Sequence, residues 1–370
     1  GRLVLRGRQR IQQQLDDQHQ QHERPAPVAG GVVQQAEQAG GKRVDLRPRA
    51  NAQYLRLRSV RLLFVTDANK RVAGIVTDGV HTKARIVNIT PDAVKKMLDE
   101  GNIVMLAGFQ GETASGEITT LGRGGSDLTA IAMAAAIKAD LCQIYTDVDG
   151  VYTCDPRVVK TAQKINEISY EEMLEMASSG SKVMQSRSVE FANKFGVRFE
   201  VRNSMNNNPG TIVKEESPGM ESVVVRGVSL ERNQAKVTID DVADRPGISA
   251  AIFGAIASAN ITIDMIVQNV SFDGITDISF TLSGADLAKA EAVLKAELPG
   301  LGEKAQLRTQ SSIAKVSVVG IGMRSHSGVA AKMFKALADA KINIQMISTS
   351  EIKTAVIVDE AEVENAASVV

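Results

Sequence analysis

The stretch TTLGRGGSDLTAIAMAAAIKA, Thr119–Ala139, puts a cation, bare backbone and a carboxylate directly before an alanine-rich run. The run predicts a helix that begins at Ser126 or Asp127. Gly124 and Gly125 would let backbone N–H groups approach an anion, and the unpaired amides at the start of the helix would face the same point. The alternative is an ordinary helix cap, since serine and aspartate are preferred there.

Two charged side chains of this stretch bear on the choice. The guanidinium of Arg123 is a planar fork that suits a carboxylate. Asp127 would repel a bound anion, but it could hold a nearby lysine or metal ion in place. Both interpretations stay open on this stretch alone: a loop that handles small anions, or an ordinary helix cap, which is the commoner use of Ser-Asp after Gly-Gly.

Strands and helices alternate on both sides of this stretch. PDAVKKMLDEG, Pro91–Gly101, predicts a helix with proline at its first position and glycine just past its end. A buried strand NIVMLAGF and a loop QGETASGEITT follow it, and beyond the opening stretch come a strand DLCQIYTD, two helical runs separated by SSGSK, and a strand VRFEVRN. The pattern predicts an α/β sandwich on a mostly parallel sheet, with SMNNNPGT and KEESPGMES as linkers.

The composition indicates a globular protein and argues against several other classes. The 370 residues suggest two or three domains, 44% of them are hydrophobic, and the net charge is zero. No apolar run is long enough to span a membrane, and nothing in the charge points to nucleic acid. The two cysteines, Cys142 and Cys154, and four histidines without ligand spacing argue against disulfides and zinc, so we expect a cytoplasmic location.

The first sixty residues differ from the rest. They hold eleven glutamines, and eleven Lys+Arg against five Asp+Glu, which leaves residues 61–370 with a net charge of −6. Two interpretations are open: a basic Gln-rich interaction arm, or a disordered or artefactual segment. No apolar region of a signal peptide is present. The glycine at position 1, the first methionine at Met97 and the ending in AEVENAASVV lead us to expect a fragment.

The C-terminal part contains an internal repeat. Two copies, which begin at Ala235 and Ala314, run strand, loop, amphipathic helix, strand, and their closing strands ITIDMI and INIQMI match with apolar residues in step. TDISFTLS and LAKAEAVLKAEL add a third strand and a second helix to the first copy. This βαββα order predicts a small ferredoxin-like module that is present twice, with the two copies side by side.

Two more clusters of polar residues follow predicted elements. YTDVDGVYTCDPR, Tyr145–Arg157, comes after a strand, where nucleotides commonly bind in parallel sheets, and a solvated acidic turn is the alternative. SSGSK places Lys182 after Gly180 between two helices. This lysine could reach a phosphate, or it could be an ordinary surface residue.

Taken together, TTLGRGGSD, YTDVDGVYTCDPR, EEMLEMASSGSKV and the repeat with INIQMISTSEIK resemble the aspartate kinases, in the bacterial type regulated by lysine and threonine within the amino acid kinase family. The similarity covers about residues 73–370, in order and with compatible spacing. It implies an α/β amino acid kinase-like sandwich with a mostly parallel sheet, its N-terminal part missing, and then two ferredoxin-like (βαββαβ) ACT modules. The second module is expected to be truncated and to lack its last strand. The implied domains are residues 1–70, unassigned, 71–222, catalytic, 223–310, the first ACT domain, and 311–370, the second.

The resemblance implies transfer of the ATP γ-phosphoryl group to the β-carboxylate of L-aspartate, the first step toward lysine, threonine and methionine. Mg²⁺ would accompany ATP, and no separate metal site is implied. Asp127 and Lys182 would be the catalytic residues. The residues implied to bind aspartate are Arg123, Gly124, Gly125 and Ser126. The residues implied to bind the nucleotide are Thr146, Asp147, Tyr152, Thr153, Cys154, Asp155, Pro156, Arg157, Lys182 and Val183.

The ACT pair implies feedback control by lysine and threonine, bound where the modules meet. The implied positions lie in or near the loops DRPGI and SHSGV, and the individual residues are Asp264, Gln268, Ser327, Gly328, Val329, Asn343, Gln345 and Glu351. Asp264 has apolar neighbours, so its carboxylate would suit an amino group, while a polar strand end facing solvent is the alternative. Because ACT modules commonly pair across subunits, a homo- or hetero-oligomer is also implied.

The sequence departs from the family on its N-terminal side. Residues 1–72 lack the Lys-Phe/Tyr-Gly-Gly-Thr/Ser loop that cradles ATP phosphates, since VAGGVV at 28–33 has no lysine before it and no serine or threonine after it. The Thr/Ala-Gly-Glu stretch that helps to bind aspartate is absent too. We therefore predict a nearly inactive chain. The alternatives are a non-catalytic regulatory chain that binds lysine or threonine, and another amino acid kinase that acts on glutamate or carbamate.

Overall fold

The computed structural model describes residues 62–64, 74–80, 82, 84–217, 219–270 and 274–370. Of the predicted segment 1–70, all but residues 62–64 lie outside the described residues, and so does VAGGVV. The chain divides into two compact units. The first comprises the described residues up to Asp149 together with Val197–Pro209, and the second comprises Gly150–Gly196 and Gly210–Val370.

The described residues form sixteen strands and eight α-helices. The strands are β1 (Leu62–Phe64), β2 (Ile75–Thr77), β3 (Ile86–Ile89), β4 (Ile103–Met105), β5 (Gln110–Glu112), β6 (Ile118–Thr120), β7 (Cys142–Thr146), β8 (Glu167–Ser169), β9 (Phe199–Asn203), β10 (Thr211–Lys214), β11 (Gly227–Ala243), β12 (Ile263–Val270), β13 (Ile275–Ser283), β14 (Gln306–Val319), β15 (Met346–Thr349) and β16 (Lys353–Asp359). The helices are α1 (Asp92–Asp99), α2 (Gly125–Ile137), α3 (Tyr170–Ser178), α4 (Ser186–Phe195), α5 (Ile248–Ser258), α6 (Leu287–Leu301), α7 (Val329–Asp339) and α8 (Val363–Val369). None of these helices is long and apolar enough to cross a membrane.

The first unit is built on parallel strand pairs, as the alternation of strands and helices predicts. β1 pairs with β4 and β7 pairs with β9, both in parallel, and β2 pairs in parallel with β5. β5 and β6 form an antiparallel hairpin, although the sequence predicts only a loop in QGETASGEITT. A side chain at Gly111 would lie 2.9 Å from the carbonyl oxygen of Ile75, so glycine lets β5 approach β2 this closely.

Both helices of the first unit begin within two residues of their predicted positions. Helix α1 starts at Asp92, with Pro91 at the N-cap rather than at the first helical position. Helix α2 starts at Gly125, before the predicted Ser126. Residues 128–134 of α2 are all buried, so this helix is apolar on every side and lies inside the unit.

The second unit combines the predicted pair of helices with the C-terminal repeat. β8 and β10 pair in parallel, and α3 and α4 are the two predicted helical runs on either side of SSGSK. Helix α3 begins with a capping box, in which Ser169 and Glu172 bond each other's backbone amides. The same helix packs against β11 and β14 of the repeat.

The two copies of the repeat share one six-stranded sheet, in the order β12-β13-β11-β14-β16-β15. Each copy has the predicted βαββα order: β11, α5, β12, β13 and α6, then β14, α7, β15, β16 and α8. The helices of the first copy cover an apolar core around Phe280 and Ile252, and those of the second cover a separate core around Val356 and Leu337. The prediction of a duplicated module is therefore confirmed.

The long strands β11 and β14 each serve both modules. The second part of β11, Lys236–Asp240, pairs with the first part of β14, Gln306–Gln310. The first part of β11, Gly227–Glu231, instead pairs with Lys315–Val319. It thus occupies the place beside β14 where the second module's own last strand would lie. The sheet of the second module is therefore complete without that strand, because Gly227–Glu231 takes the strand's position beside β14.

Candidate active site

The loop before α2 has the open backbone that its glycines predict. Gly122 and Gly124 both have left-handed conformations, with φ of 82° and 71°, and Arg123 between them is exposed. Gly124 is the N-cap of α2, and no side chain makes a capping hydrogen bond there. The ordinary cap by Ser126 or Asp127 is therefore not what the structure contains. The Gly125 amide donates to the Gly122 carbonyl (2.9 Å) and the Asp127 amide to the Gly124 carbonyl (3.1 Å), so Ser126 is the residue of this turn whose amide could serve an anion beside Arg123.

The start of α2 is held against Gly108 and Phe109, which the sequence analysis did not single out. The Phe109 amide donates to Thr129 Oγ1 (3.2 Å), and this hydroxyl donates to the Gly125 carbonyl (2.8 Å). A side chain at Gly125 would lie 2.8 Å from Leu121 Cβ and 3.1 Å from the Phe109 ring. Only glycine fits there, which explains why the loop needs a second glycine before the helix.

Asp127 is a partly buried carboxylate in the first turn of α2. Its burial raises the pKa of this carboxyl above the ordinary value of 3.8. Its charge also acts on Cys142, whose pKa is raised to about 12, first by burial and then by Asp127. An ionised carboxylate in this position therefore carries a desolvation cost, which a bound cation or a cationic side chain would offset.

The end of β7 contains the first two residues implied to bind the nucleotide. Thr146 Oγ1 donates to Asp147 Oδ1 (3.1 Å), and the Thr146 carbonyl accepts from the Ser204 amide after β9 (2.8 Å). The carboxyl ends of these two parallel strands are therefore adjacent, at the kind of edge where nucleotides bind. Asn203 also reaches this edge, and the sequence analysis did not single it out because it ends the predicted strand VRFEVRN without any binding motif.

The loop Tyr152–Arg157 lies in the second unit and is ordered by its own contacts. Arg157 donates to both carboxylate oxygens of Asp155, through Nε (3.0 and 3.2 Å) and Nη2 (2.7 Å). These hydrogen bonds lower the pKa of Asp155, and the nearby charge of Lys182 adds to the effect. Cys154 in the same loop is buried, and its burial raises the pKa of its thiol.

Lys182 belongs to the same cluster as Asp155 and Arg157. It is exposed, two residues after Gly180, which has φ of 111°. A side chain at Gly180 would overlap the Leu230 carbonyl oxygen and lie 2.7 Å from its carbonyl carbon. The glycine therefore lets the end of α3 pass close to β11 and carries Lys182 toward Asp155.

The residues implied to bind aspartate and the nucleotide are divided between the two units. Arg123, Gly124, Gly125, Ser126, Asp127, Thr146 and Asp147 lie in the first unit, and Tyr152, Thr153, Cys154, Asp155, Pro156, Arg157, Lys182 and Val183 lie in the second. Among the described residues, no group of three or more histidine, cysteine, aspartate or glutamate side chains could hold a metal ion.

In the first ACT module the structure brings Gln268 to the start of α5. Ser249 Oγ donates to Gln268 Oε1 (3.1 Å), and this hydrogen bond joins β12 to the start of α5, the helix that follows DRPGI. Asp264 instead forms an ion pair with Lys315 of β14, whose side chain is only 3% exposed. The same ammonium is 2.8 Å from Glu231. The amino group that Asp264 holds in this structure thus belongs to the chain itself.

The second ACT module repeats the helix start of the first. Gly328, like Gly247 in the first copy, is a left-handed N-cap, and Ser327 and Gly328 are exposed with Val329 beginning α7. The side chain of Gln345 accepts a long hydrogen bond from Lys236 (3.5 Å). Asn343 and Glu351 are exposed, and Glu351 lies 3.5 Å from Arg324.

Comparison with known proteins supports these motifs. Residues 15–203 match the amino acid kinase family, and residues 236–299 and 316–370 each match the ACT domain. The aspartate kinase of Pseudomonas fluorescens is 53% identical over 291 residues, which make up 78% of this chain and 70% of that protein. The chain belongs to the aspartate kinases. The predicted family is therefore confirmed, and the chain is a kinase of the amino acid kinase family with ACT domains.

Solved structures of the family have the same fold as this aspartate kinase. E. coli aspartokinase III in complex with aspartate and ADP (R-state) aligns with a TM-score of 0.67 and 27% identity, over 85% of this chain and 70% of that one. The same enzyme in complex with lysine and aspartate (T-state) aligns with a TM-score of 0.64 and 28% identity, over 84% and 68%. The predicted fold class, an amino acid kinase fold followed by two ACT modules, is confirmed.

Proposed function

We propose that this chain transfers the γ-phosphoryl group of ATP to the β-carboxylate of L-aspartate, giving ADP and 4-phospho-L-aspartate. The observation that carries this proposal is the loop at Arg123, where two left-handed glycines flank an exposed guanidinium at an uncapped helix start. A dicarboxylate amino acid would find there a planar cation beside the positive end of a helix. E. coli aspartokinase III, a family member, is known in complex with aspartate and ADP.

The reaction requires positioning and charge neutralisation more than proton transfer. The β-carboxylate of aspartate is already ionised at neutral pH, so its oxygen attacks phosphorus without a general base, and ADP leaves. Arg123 would hold the α-carboxylate, Gly124 and Gly125 would admit its close approach, and Ser126 would supply an amide. Asp127 would orient the groups that neutralise the phosphates. Mg²⁺ bound to the nucleotide phosphates would supply further positive charge.

The nucleotide would be held by the two loops that follow β7. Thr146 and Asp147 lie at the carboxyl end of that strand, and Tyr152 through Arg157 follow in the chain. Lys182 would contact the phosphates as a mobile ammonium, a role that its exposure and its proximity to Asp155 support. Val183 would lie beside it.

The ACT pair would make the enzyme responsive to end products. We propose that lysine, threonine or both bind at the helix starts near Gln268 and at Ser327–Val329, with Asp264, Asn343, Gln345 and Glu351 nearby, and that they shift the enzyme toward a less active arrangement. E. coli aspartokinase III in the T-state holds lysine and aspartate. The reaction would then open the pathway to lysine, threonine and methionine in the cytoplasm, and ACT pairing would join subunits into an oligomer.

We also propose that turnover by this chain is low. Residues 1–72 lack the lysine- and glycine-containing loop that the family uses for ATP phosphates. Loss of one electrostatic contact to a transition state commonly costs about a hundredfold in rate or more.

An ATP-dependent aspartyl-hydroxamate assay on the purified chain tests the proposal. We expect slow product formation with L-aspartate, none with glutamate, and a further loss in Arg123→Ala. Turnover at the rate of complete aspartate kinases would overturn the proposed impairment. Calorimetric binding of lysine or threonine without any nucleotide or aspartate binding would instead support the non-catalytic regulatory chain.

A further inference from the structure

The loop after β9 holds the loop after β7 at both of its ends. At one end, the Ser204 amide donates to the Thr146 carbonyl (2.8 Å). At the other end, Asp149 Oδ1 accepts from Nδ2 of Asn203 (2.6 Å) and from Nδ2 of Asn206 (2.9 Å). The four residues 146–149 are therefore fixed at their first and last positions by one short segment of chain.

The two asparagines are themselves oriented by their own loop. Oδ1 of Asn203 accepts from the Met205 amide (2.8 Å), and Oδ1 of Asn206 accepts from the Asn208 amide (3.0 Å). Because a backbone N–H can only donate, these contacts require the amide oxygen on that side and leave the NH₂ group facing Asp149. Each side chain thus shapes its own turn with one end and binds the carboxylate with the other.

We propose that Asn203 and Asn206 are positioning residues for nucleotide binding, acting through Asp149 on Thr146 and Asp147. This inference rests on the proposed function, in which Thr146 and Asp147 hold the nucleotide. The asparagines do not contact the nucleotide themselves. They keep the loop in one conformation, so that its ordering is complete before the ligand arrives and does not subtract from binding.

The charge of Asp149 explains why amides are needed at these positions. Two NH₂ donors stabilise a carboxylate with charge-assisted hydrogen bonds, whereas a carboxylate at position 203 would repel it. The two side chains can be exchanged by mutation: an aspartate at position 203 and an asparagine at position 149 again pair one acceptor with one donor. This makes a rescue experiment available.

The experiment measures ADP and L-aspartate affinity by calorimetry on the full chain. We expect Asn203→Ala and Asn206→Ala to weaken ADP binding about tenfold each, because each loses a hydrogen bond to a charged group, with aspartate affinity unchanged. Asn203→Asp should weaken ADP binding further. Asp149→Asn in the Asn203→Asp background should restore it in part, to about the affinity of Asn206→Ala, because the one atom of residue 149 that meets both positions cannot donate to residue 203 and accept from Asn206. Asn207→Ala, at the exposed residue just after Asn206, is the matched control and should behave as the wild type.

Amide hydrogen exchange of the peptide that contains residues 146–149 tests the positioning role of the two asparagines without any ligand. We expect faster exchange there in Asn203→Ala and Asn206→Ala, and no change in Asn207→Ala. If the wild type binds no ADP, the proposed function fails, and exchange still tests the positioning role. Unchanged exchange in both alanine variants, or an equal fall in ADP and aspartate affinity, would overturn the inference.

Discussion

The backbone amide of Ile321 donates a hydrogen bond of 3.2 Å to the carboxylate of Glu172, 149 residues earlier in the chain. The Glu172 side chain is fully buried, and it also accepts from Ser169 and from Nε of Arg226 (3.2 Å). One carboxylate therefore caps α3 and joins this helix to the segment that follows β14. Glu172 belongs to the stretch EEMLEMASSGSKV, in which it would pass from the sequence alone as a simple capping glutamate.

We expect Glu172→Ala to be strongly destabilising. It leaves the guanidinium of Arg226 and the Ile321 amide buried without their acceptor, and breaking a buried pair in this way costs about 3–5 kcal/mol. The control is Glu171→Ala, whose side chain pairs with exposed Arg324 and should cost less than about 1 kcal/mol. Urea unfolding of both variants measures the difference, and equal losses would contradict this account of the junction.

Gly180 offers a test of the chain path that leads to Lys182. Gly180→Ala would put a side chain into the Leu230 carbonyl at φ of 111°, so the free energy of unfolding should fall by about 2 kcal/mol or more. Gly196→Ala is the matched control. Its φ is also positive, 64°, but nothing lies within 4 Å of the added atom, so the loss should be about 1 kcal/mol. Similar midpoints of thermal unfolding in the two variants would argue against the tight approach of α3 to β11.

Asp127 should cost the folded protein stability at neutral pH. Burial raises the pKa of its carboxyl, so the folded state disfavours the ionised form more than the unfolded chain does. This cost is present above the folded pKa and disappears as the pH falls through it to below the ordinary value of 3.8. We therefore expect Asp127→Asn to be more stable than the wild type at pH 7 to a degree that shrinks toward pH 4, and to lose activity.

Unfolding by urea at several pH values checks this prediction. Asp140→Asn, at an exposed aspartate just after α2, is the control and should show no such pH dependence. An Asp127→Asn variant less stable than the wild type at pH 7 would show that the carboxylate is a structural partner rather than a group kept for function.

Lys315 is expected to balance two carboxylates inside the ACT sheet. Burial alone would lower the pKa of its ammonium, but Glu231 and Asp264 more than offset this effect and the pKa is raised. In Lys315→Met these carboxylates would lose the ammonium that pairs with both, so the variant should be less stable than the wild type at neutral pH. Because the pKa of Lys315 is raised in the folded state, its contribution is fully present below the ordinary value of 10.5 and is lost as the pH rises through the folded value, so the deficit of the variant should shrink there.

The control for Lys315→Met is a lysine whose removal leaves no carboxylate without its partner. Lys332→Met, at an exposed position on α7, provides it and should change little at any pH. Chemical denaturation at four or five pH values is sufficient. A Lys315→Met variant as stable as the wild type at pH 7, or a deficit that does not shrink as the pH rises above 10.5, would contradict the proposed balance.

The sequence predicted best those parts of the fold that depend on local pattern. Helix α2 could be recognised from an uninterrupted apolar run, and the two ACT modules could be recognised because Asp264 and Gln345 occupy equivalent places in matching strands. The hairpin of β5 and β6 was missed, since strands of three residues are too short to show a period of two. The pairing of Gly227–Glu231 with Lys315–Val319 was missed because nothing local specifies a contact between segments so far apart.

The candidate site was predictable to a similar extent. Arg123 and its glycines were found because a guanidinium beside bare backbone at a helix start suits an anion, and the structure shows the left-handed backbone that the glycines allow. Asn203 was predicted as the end of the strand VRFEVRN, and Asn206 was assigned to a linker, since a run of asparagines is typical of turns. Only the neighbouring strand β7 reveals that their amides face Asp149, and this adjacency is a property of the sheet.

The central claim is that the loop at Arg123 binds L-aspartate, and calorimetric titration of L-aspartate tests it most directly. We expect saturable binding to the wild type and a loss of at least about tenfold in affinity in Arg123→Ala, because an ionic hydrogen bond to a carboxylate is removed. Arg198→Ala, at an exposed arginine of the same unit, should bind as the wild type does. Equal aspartate affinity in the wild type and in Arg123→Ala would contradict the account.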